Sequence, residues 1–398
     1  MATFVFENMT QAQADALVAT DVIAFATTTV TARNIGVANS TQLGTDTITL
    51  TAGAKSLNFN ATTLSALSDA NRIAFNDNSS LVLGTQAADA ALTGATNPNT
   101  VYLFAGNDSI TQAGVDTEDF IYGMGGNDTI VGGSTASHLY GFNASGGTDG
   151  TDSITGGAAG DYIQGNAGND TLAGGNGSDR LLGGAGNDTI SGGADQDTVN
   201  GNTGNDTIDG GTENDFLRGG QGNDDVRGGA NADTILGDLG TDTLVGGTGV
   251  DLVAGGAGND VFVFGSTTTS VTDAAPVTPA GTTVAQYETV ADFTNGEDTF
   301  QIRGSTTSAV AFGTATADVV RGSSDAVFNT VSAATTYAQQ LLDANASLVD
   351  VAAVKVGSDV YLFWASDASA GALVDNIVKL QGVSDVSLIT GGASGDFV

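Results

Sequence analysis

An aspartate recurs every nine residues from Asp152 to Asp260: Asp152, Asp161, Asp170, Asp179, Asp188, Asp197, Asp206, Asp215, Asp224, Asp233, Asp242, Asp251 and Asp260. Each is followed two positions later by an apolar residue, from Ile154 through Ile190 to Phe262. At an apolar background of roughly 45–50 %, an unbroken run of this length would arise by chance on the order of once in ten thousand. So strict a period specifies a folded unit, not the disordered acidic tract that composition alone would allow.

One repeat, Gly183-Gly184-Ala185-Gly186-Asn187-Asp188-Thr189-Ile190-Ser191, divides into a turn half and a strand half. Glycines sit where the chain must take positive φ or pass close to an ion. The last three residues make a minimal strand, with Ile190 pointing in and Thr189 and Ser191 pointing out. Nine residues per half-turn imply an eighteen-residue coil. Odd and even repeats then stack as two parallel sheets with the apolar side chains trapped between them. Asp152, Asp170, Asp188, Asp206, Asp224, Asp242 and Asp260 line one edge, and Asp161, Asp179, Asp197, Asp215, Asp233 and Asp251 the other. The expected fold class is all-β, a parallel β-roll flanked by N-terminal and C-terminal mainly-β domains.

Column neighbours sit about one strand spacing apart, 4.8 Å. Carboxylates that close repel, whereas a hard divalent cation taking six to eight oxygens fits between them. Metal binding and folding then become one equilibrium. Calcium suits an all-oxygen site with irregular turns better than magnesium does, and zinc is poorly served by a chain with no cysteine and only His138. The intervals within the two columns give an expectation of about 11 calcium ions. Several half-turns depart from the pattern. Ala159, Asp195, Glu213 and Asn231 replace the fourth-position glycine, and Thr148, Asn166, Asn202 and Asp238 occupy the second position. Asn tolerates left-handed backbone; Glu213 and Ala159 do not readily, which marks the half-turns before Asp215 and Asp161 as weaker or distorted.

The formal charge of −35 excludes a nucleic-acid binder working through basic patches and disfavours anionic lipid. About 11 calcium ions would bring it to about −13, so much of the charge is metal-binding charge. No run of about 20 apolar residues predicts a membrane span. Met1-Ala2-Thr3-Phe4-Val5-Phe6-Glu7 lacks both a basic segment and a cleavable apolar one, so no ordinary secretory signal is expected.

Glycine draws the boundaries: 42 of the 58 lie between residues 100 and 265. The expected domains are an N-terminal Thr/Ala-rich β domain for anchoring or assembly (1–99), the repeat roll (100–265), a linker (266–281) and a C-terminal β domain (282–398). The roll begins irregularly. Asp108, Asp119 and Asp128 are candidate ligands in incomplete leading coils, Ser137 takes the next aspartate position with Leu139 pointing in, and a six-residue insertion precedes Asp152. His138 reads as exposed and non-ligating. A helix is expected from Thr10, as N-cap, to Ala19, and another over Tyr337 to Asp343. The rest of the N-terminal segment reads as short strands, with a degenerate solenoid as one arrangement. The C-terminal part carries strand signals at Val354-Lys355-Val356, Val360-Tyr361-Leu362-Phe363-Trp364 and Ile377-Val378-Lys379-Leu380, with Trp364 read as core.

These repeats resemble the RTX family over residues 105–264, and Asp396-Phe397-Val398 is similar to the acidic-then-apolar ending of uncleaved type I export signals. The resemblance implies a calcium-binding β-roll, export through the type I secretion machinery and folding in extracellular calcium at the bacterial cell surface. Some RTX proteins are metalloproteases or lipases. This chain has no HExxH and no Gly-x-Ser-x-Gly elbow, so no enzyme is expected. Its acidic, cysteine-free, Thr/Ala/Gly-rich composition resembles surface-layer (S-layer) subunits, whose partners are copies of the same chain, with cell-surface polysaccharide as a further candidate. An adhesin or biofilm-matrix protein is the alternative. Ice binding needs a regular Thr/Asn array, and third-position residues such as Ala167, Asn176, Ala185, Thr203 and Gln221 are too mixed.

Overall fold

The computed structural model describes residues 149–264 throughout. Outside that stretch it describes residues 2–18, 22–25, 36–42, 45–52, 55–60, 73–75, 80–83, 92–93, 99–103, 106–112, 118–142, 288–292, 299–302, 319–321, 338, 351–356, 359–364 and 376–381. The chain forms two compact units, Met1–Ile190 and Ser191–Val398. Nearly all described secondary structure is β, and no described helix is long and apolar enough to cross a membrane.

In the first unit the repeats build two parallel stacks. One contains Ser109–Thr111, Thr129–Val131, Ser153–Gly157 and Thr171–Asn176; the other contains Asn99–Tyr102, Asp119–Tyr122, Ser137–Tyr140, Tyr162–Ala167 and Arg180–Ala185. The register places each inward side chain on its counterpart one coil away: Ile110, Ile130, Ile154 and Leu172 in one stack, Val101, Ile121, Leu139, Ile163 and Leu181 in the other. None is more than 1 % exposed. A one-residue slip would turn every one of them outward, so burial itself fixes the register.

The strands are longer than the three residues the repeat suggests. Arg180–Ala185 runs through Gly183 and Gly184, with Leu181 and Gly183 both buried. Pairing skips the first glycine, passing from Gln164↔Leu182 to Asn166↔Gly184, so each strand is two short pieces joined at a bend. Glycine lets the chain bend while staying in the sheet; the true turn is only the Gly-Asn-Asp that follows.

The parallel stacking also starts upstream of residue 100: Ser80–Leu83 pairs with Asn99–Tyr102, and Leu92–Thr93 with Ser109–Thr111. The N-terminal segment itself holds a parallel sheet of Thr3–Val5, Val22–Phe25 and Ile73–Phe75 and an antiparallel meander of Gly36–Gln42, Thr45–Ala52 and Lys55–Asn60. Thr10 caps a helix as expected, with a complete capping box to Gln13, but the helix covers only Gln11–Asp15. It ends on an acid, which opposes the helix dipole, and the chain leaves it at Ala16. Leu17 then joins an apolar cluster with Phe6, Met9, Ala14, Leu50, Leu57 and Phe59 that also takes in Tyr102.

In the second unit Thr207–Thr212, Asp225–Ala230, Thr243–Thr248 and Val261–Phe264 form one stack, continued by Thr299–Ile302. Thr198–Thr203, Phe216–Gln221, Thr234–Leu239 and Leu252–Ala257 form the other, continued by Glu288–Val290. Ile208, Val226, Leu244 and Phe262 stack in one core column and Val199, Leu217, Ile235, Val253 and Val290 in the second, all 2 % exposed or less. Asn376–Leu380 adds in parallel to Glu288–Val290, and Asp359–Trp364 and Val351–Val356 follow antiparallel. The expected linker 266–281, the Trp364 side chain, the Tyr337–Asp343 helix apart from the helical Ala338, and the ending Asp396-Phe397-Val398 lie outside the described residues.

Candidate metal centre

Each turn leaves a backbone N–H at the aspartate with no strand partner, and the next coil supplies the acceptor. In the first unit Asp108 N donates to Asp128 Oδ1 (2.9 Å), Asp128 N to Asp152 Oδ1, Asp152 N to Asp170 Oδ1 and Asp170 N to Asp188 Oδ1 (each 2.8 Å). On the opposite edge Ser137 N donates to Asp161 Oδ1 (2.7 Å) and Asp161 N to Asp179 Oδ1 (2.6 Å). In the second unit the same bonds run Asp206 to Asp224, Asp224 to Asp242 and Asp242 to Asp260 on one edge. Asp197 to Asp215, Asp215 to Asp233 and Asp233 to Asp251 form the other. All the repeat aspartates, with Asp108, Asp119 and Asp128, are 4 % exposed or less.

The other carboxylate oxygen is the chemically telling atom. Oδ2 of Asp128, Asp152, Asp161, Asp170, Asp215, Asp224, Asp233, Asp242 and Asp251 is buried and receives no hydrogen bond. In Asp128, Asp152, Asp161, Asp170, Asp215, Asp224, Asp233 and Asp242 it faces a glycine Cα and the carbonyl of the next coil. A Cβ built on Gly210 would lie 2.5 Å from both Asp215 Oδ2 and the Gly228 carbonyl oxygen, and Gly165 stands likewise against Asp170 Oδ2 and the Gly183 carbonyl. Only glycine leaves this space open, and what borders it is oxygen. The leading coils are built the same way, with Gly123 against Asp128 Oδ2 and the Gly141 carbonyl.

Burial pushes these carboxyls up, the charges of neighbouring acids add to it in several of them, and the backbone N–H bond partly opposes it. Asp128, Asp161, Asp170, Asp224 and Asp251 are raised to about 6, Asp152, Asp215 and Asp242 to about 7, and Asp233 to about 8. A row of buried, acceptor-only oxygens costs free energy unless something positive answers it. A hard cation with oxygen ligands fits the donor set. Among the described residues no three acidic or histidine side chains gather at one point, so backbone carbonyls would have to complete the coordination sphere.

Glu213 is held at φ +76°, as are Asp195, Asn202 and Asp238 near it in value, whereas Ala159 avoids the left-handed region. The half-turn before Asp215 is therefore strained as its sequence suggests, and the one before Asp161 relieves itself differently. Met124, at φ +78°, is a second-position residue the sequence reading passed over; counting back four from Asp128 would have found it.

A second ladder was also not foreseen. The fifth-position asparagines run outside the aspartates in the opposite sense: Asn187 N donates to Asn169 Oδ1 (2.8 Å), Asn223 N to Asn205 Oδ1 (2.8 Å) and Thr241 N to Asn223 Oδ1 (2.9 Å). His138 is half-buried, not simply exposed. It stacks on Phe120 with centroids 4.5 Å apart and lies 2.8 Å from Glu118 Oε1. Beside it Tyr102, Tyr122 and Tyr140 stack at 4.8 and 4.9 Å.

Residues 114–139, 146–181, 173–208, 200–235 and 236–267 match a family model described as RTX calcium-binding nonapeptide repeat (4 copies). The matched stretch is an RTX repeat region, and calcium is the ion such repeats bind. RTX repeats point to a secreted protein of the type I export route and to a structural arrangement that is typically non-catalytic. No curated protein matches the chain.

Proposed function

We propose that this protein is a secreted structural subunit of a bacterial surface layer whose aspartate columns hold calcium, about 11 ions, and thereby make folding and assembly depend on it. The observation that carries the calcium reading is the row of buried Oδ2 atoms facing glycine carbonyls, oxygen against oxygen. The thirteen repeat aspartates, with Asp108, Asp119 and Asp128, are the ligands; in Asp128, Asp152, Asp161, Asp170, Asp215, Asp224, Asp233, Asp242 and Asp251 Oδ1 is tied to a backbone N–H and Oδ2 is left toward the ion. Calcium supplies the positive charge that lets these carboxylates stay ionised while buried. Gly123, Gly165 and Gly210 keep the space open, and the stacked apolar columns hold successive coils in register. The acidic, cysteine-free composition supports a lattice, in which further calcium bridges acidic faces. Residues 1–99 serve anchoring or assembly.

Light scattering and electron microscopy across a calcium titration test the reading. Monomers fold first and two-dimensional sheets form at higher calcium. A protein that folds with calcium yet stays monomeric throughout, and binds cells or glycans, is an adhesin instead.

A further inference from the structure

The leading coils differ from the regular repeats on their outward face. Register places Thr100, Phe120, His138 and Tyr162 in one row and Tyr102, Tyr122, Tyr140 and Gln164 in a second. The rings of these rows lie on one another. Tyr102 stacks on Tyr122 and Tyr122 on Tyr140, with interplanar angles of 11° and 6°, and Phe120 stacks on His138, which leads to Tyr162 at 5.5 Å. The rows end there. The next coil has Arg180 and Leu182 at the same places, and in the second unit Phe216 has a threonine on either side, Thr198 and Thr234. At its other end the ladder enters the N-terminal apolar cluster: Tyr102 is a member of it, and Tyr122 and Met124 pack against it. One edge of these coils also carries less charge. Ser137 stands where an aspartate would, and its hydroxyl donates to the Thr135 carbonyl (3.1 Å).

We propose that the strands from Asn99–Tyr102 to Ser137–Tyr140 fold without calcium, held to the N-terminal cluster by this aromatic ladder, and are the template onto which calcium adds the later coils of the same unit. Ring stacking and apolar burial need no ion, and a neutral residue at one step of a column spares its neighbours a like charge. Starting a coil from unfolded chain closes a loop before any strand pairing offsets the lost entropy, whereas the edge of a formed strand presents its N–H and C=O groups at once. Thr129–Val131 and Ser137–Tyr140 are the strands on which Ser153–Gly157 and Tyr162–Ala167 pair. The inference rests on the reading that the aspartate columns bind calcium.

Amide hydrogen exchange on the full-length chain in chelator separates the two. The amides of Leu103, Gln112 and Gly123, bonded to the carbonyls of Tyr122, Val131 and Tyr140, belong to the template; those of Arg180 and Thr189, bonded to the carbonyls of Asp161 and Asp170, belong to the later coils. In chelator the first three stay protected by roughly hundredfold or more while the last two exchange at near-unfolded rates, and calcium then protects all five. Tyr122→Ala removes the ring that stacks on both Tyr102 and Tyr140. It lowers the chelator protection of the first three amides at least roughly tenfold and slows the calcium-triggered protection of Arg180 and Thr189. Tyr140→Leu, which keeps apolar bulk and loses the stack, acts in the same direction and serves if the first variant does not fold. Leading amides that exchange at near-unfolded rates in wild-type chelator samples overturn the template, and protection that neither variant changes overturns the ladder as its clamp. Full protection of all five amides in chelator overturns the calcium reading itself.

Discussion

The N-terminal cluster and the repeat coils of the first unit keep their interiors together by different means. Around Phe6, Met9, Leu50, Leu57 and Phe59 the core is several apolar side chains deep, and the partly buried cation at its edge, Lys55, is answered by the carbonyls of Glu7 (2.9 Å) and Met9 (2.6 Å). A coil from Ser153 to Asp170 buries one apolar side chain per strand, Ile154 and Ile163, alongside carboxylates whose second oxygen no donor reaches. The first is an ordinary hydrophobic core. The second has too thin an apolar interior to offset chain entropy and the burial of charge. A repeat this short can be periodic and specific in register and still depend on an added ion for its stability.

Calcium removal has the largest expected effect and separates the two regions. Far-ultraviolet circular dichroism of the full-length protein should lose most of its β signal in chelator at pH 8 and regain it at millimolar calcium. Retention of full β signal in chelator would erase the contrast.

Next in size is a mid-column substitution. Asp224→Ala removes the acceptor of the Asp206 N–H and, on the proposed calcium reading, a ligand shared by two neighbouring sites, a loss on the order of 3 kcal/mol. On the same reading Asp260→Ala, at the end of its column, removes a ligand from one site. The calcium midpoint should rise more for Asp224→Ala; equal midpoints would mean the ligands are not shared.

Acid gives a smaller effect of opposite sense in the two metal states. Folded aspartates at about 6 to 8 lie above the roughly 3.9 of an unfolded chain, so the folded metal-free roll holds protons that the unfolded chain releases. Its stability is fullest below about pH 4 and is lost as pH rises through 6 to 8. Metal-stripped protein should therefore gain β structure between pH 8 and pH 5. Calcium affinity should fall over the same range, because ion and proton compete for one oxygen. A metal-free roll that is no more ordered at pH 5 than at pH 8 would show the carboxylates are not what opposes folding.

Smallest is the strained half-turn. Glu213→Gly relieves a φ of +76° and removes a charge near Asp215, and should raise the thermal midpoint in calcium by an amount corresponding to about 1 kcal/mol. An unchanged or lower midpoint would show that Glu213 is compensated locally.

What was legible in the sequence follows from the same contrast. The aspartate columns and the inward apolar residues could be placed because a period of nine leaves a residue no choice of edge or face. The glycines misled only in part: positive φ and close approach are there, and Gly186 lies in the turn, but Gly183 and Gly184, read as turn, prove to be strand, since a residue without Cβ can bend inside a sheet. The Asn169, Asn187 ladder was invisible because asparagine in a turn already has a sufficient local reason to be there. The pairing of Ser80–Leu83 with Asn99–Tyr102 and the Tyr102, Tyr122, Tyr140 column lie where spacing is irregular, so no clock assigned them a face.

Amide hydrogen exchange on the full-length protein, with and without calcium, tests the central claim most directly. With calcium, the amides of Asp152, Asp170, Asp206, Asp224 and Asp242, each bonded to the next carboxylate of its column, should be among the slowest to exchange. In chelator they should exchange at near-unfolded rates, while amides of Leu50 and Leu57 in the N-terminal meander keep their protection. Protection of the aspartate amides that is the same in both buffers would contradict the account.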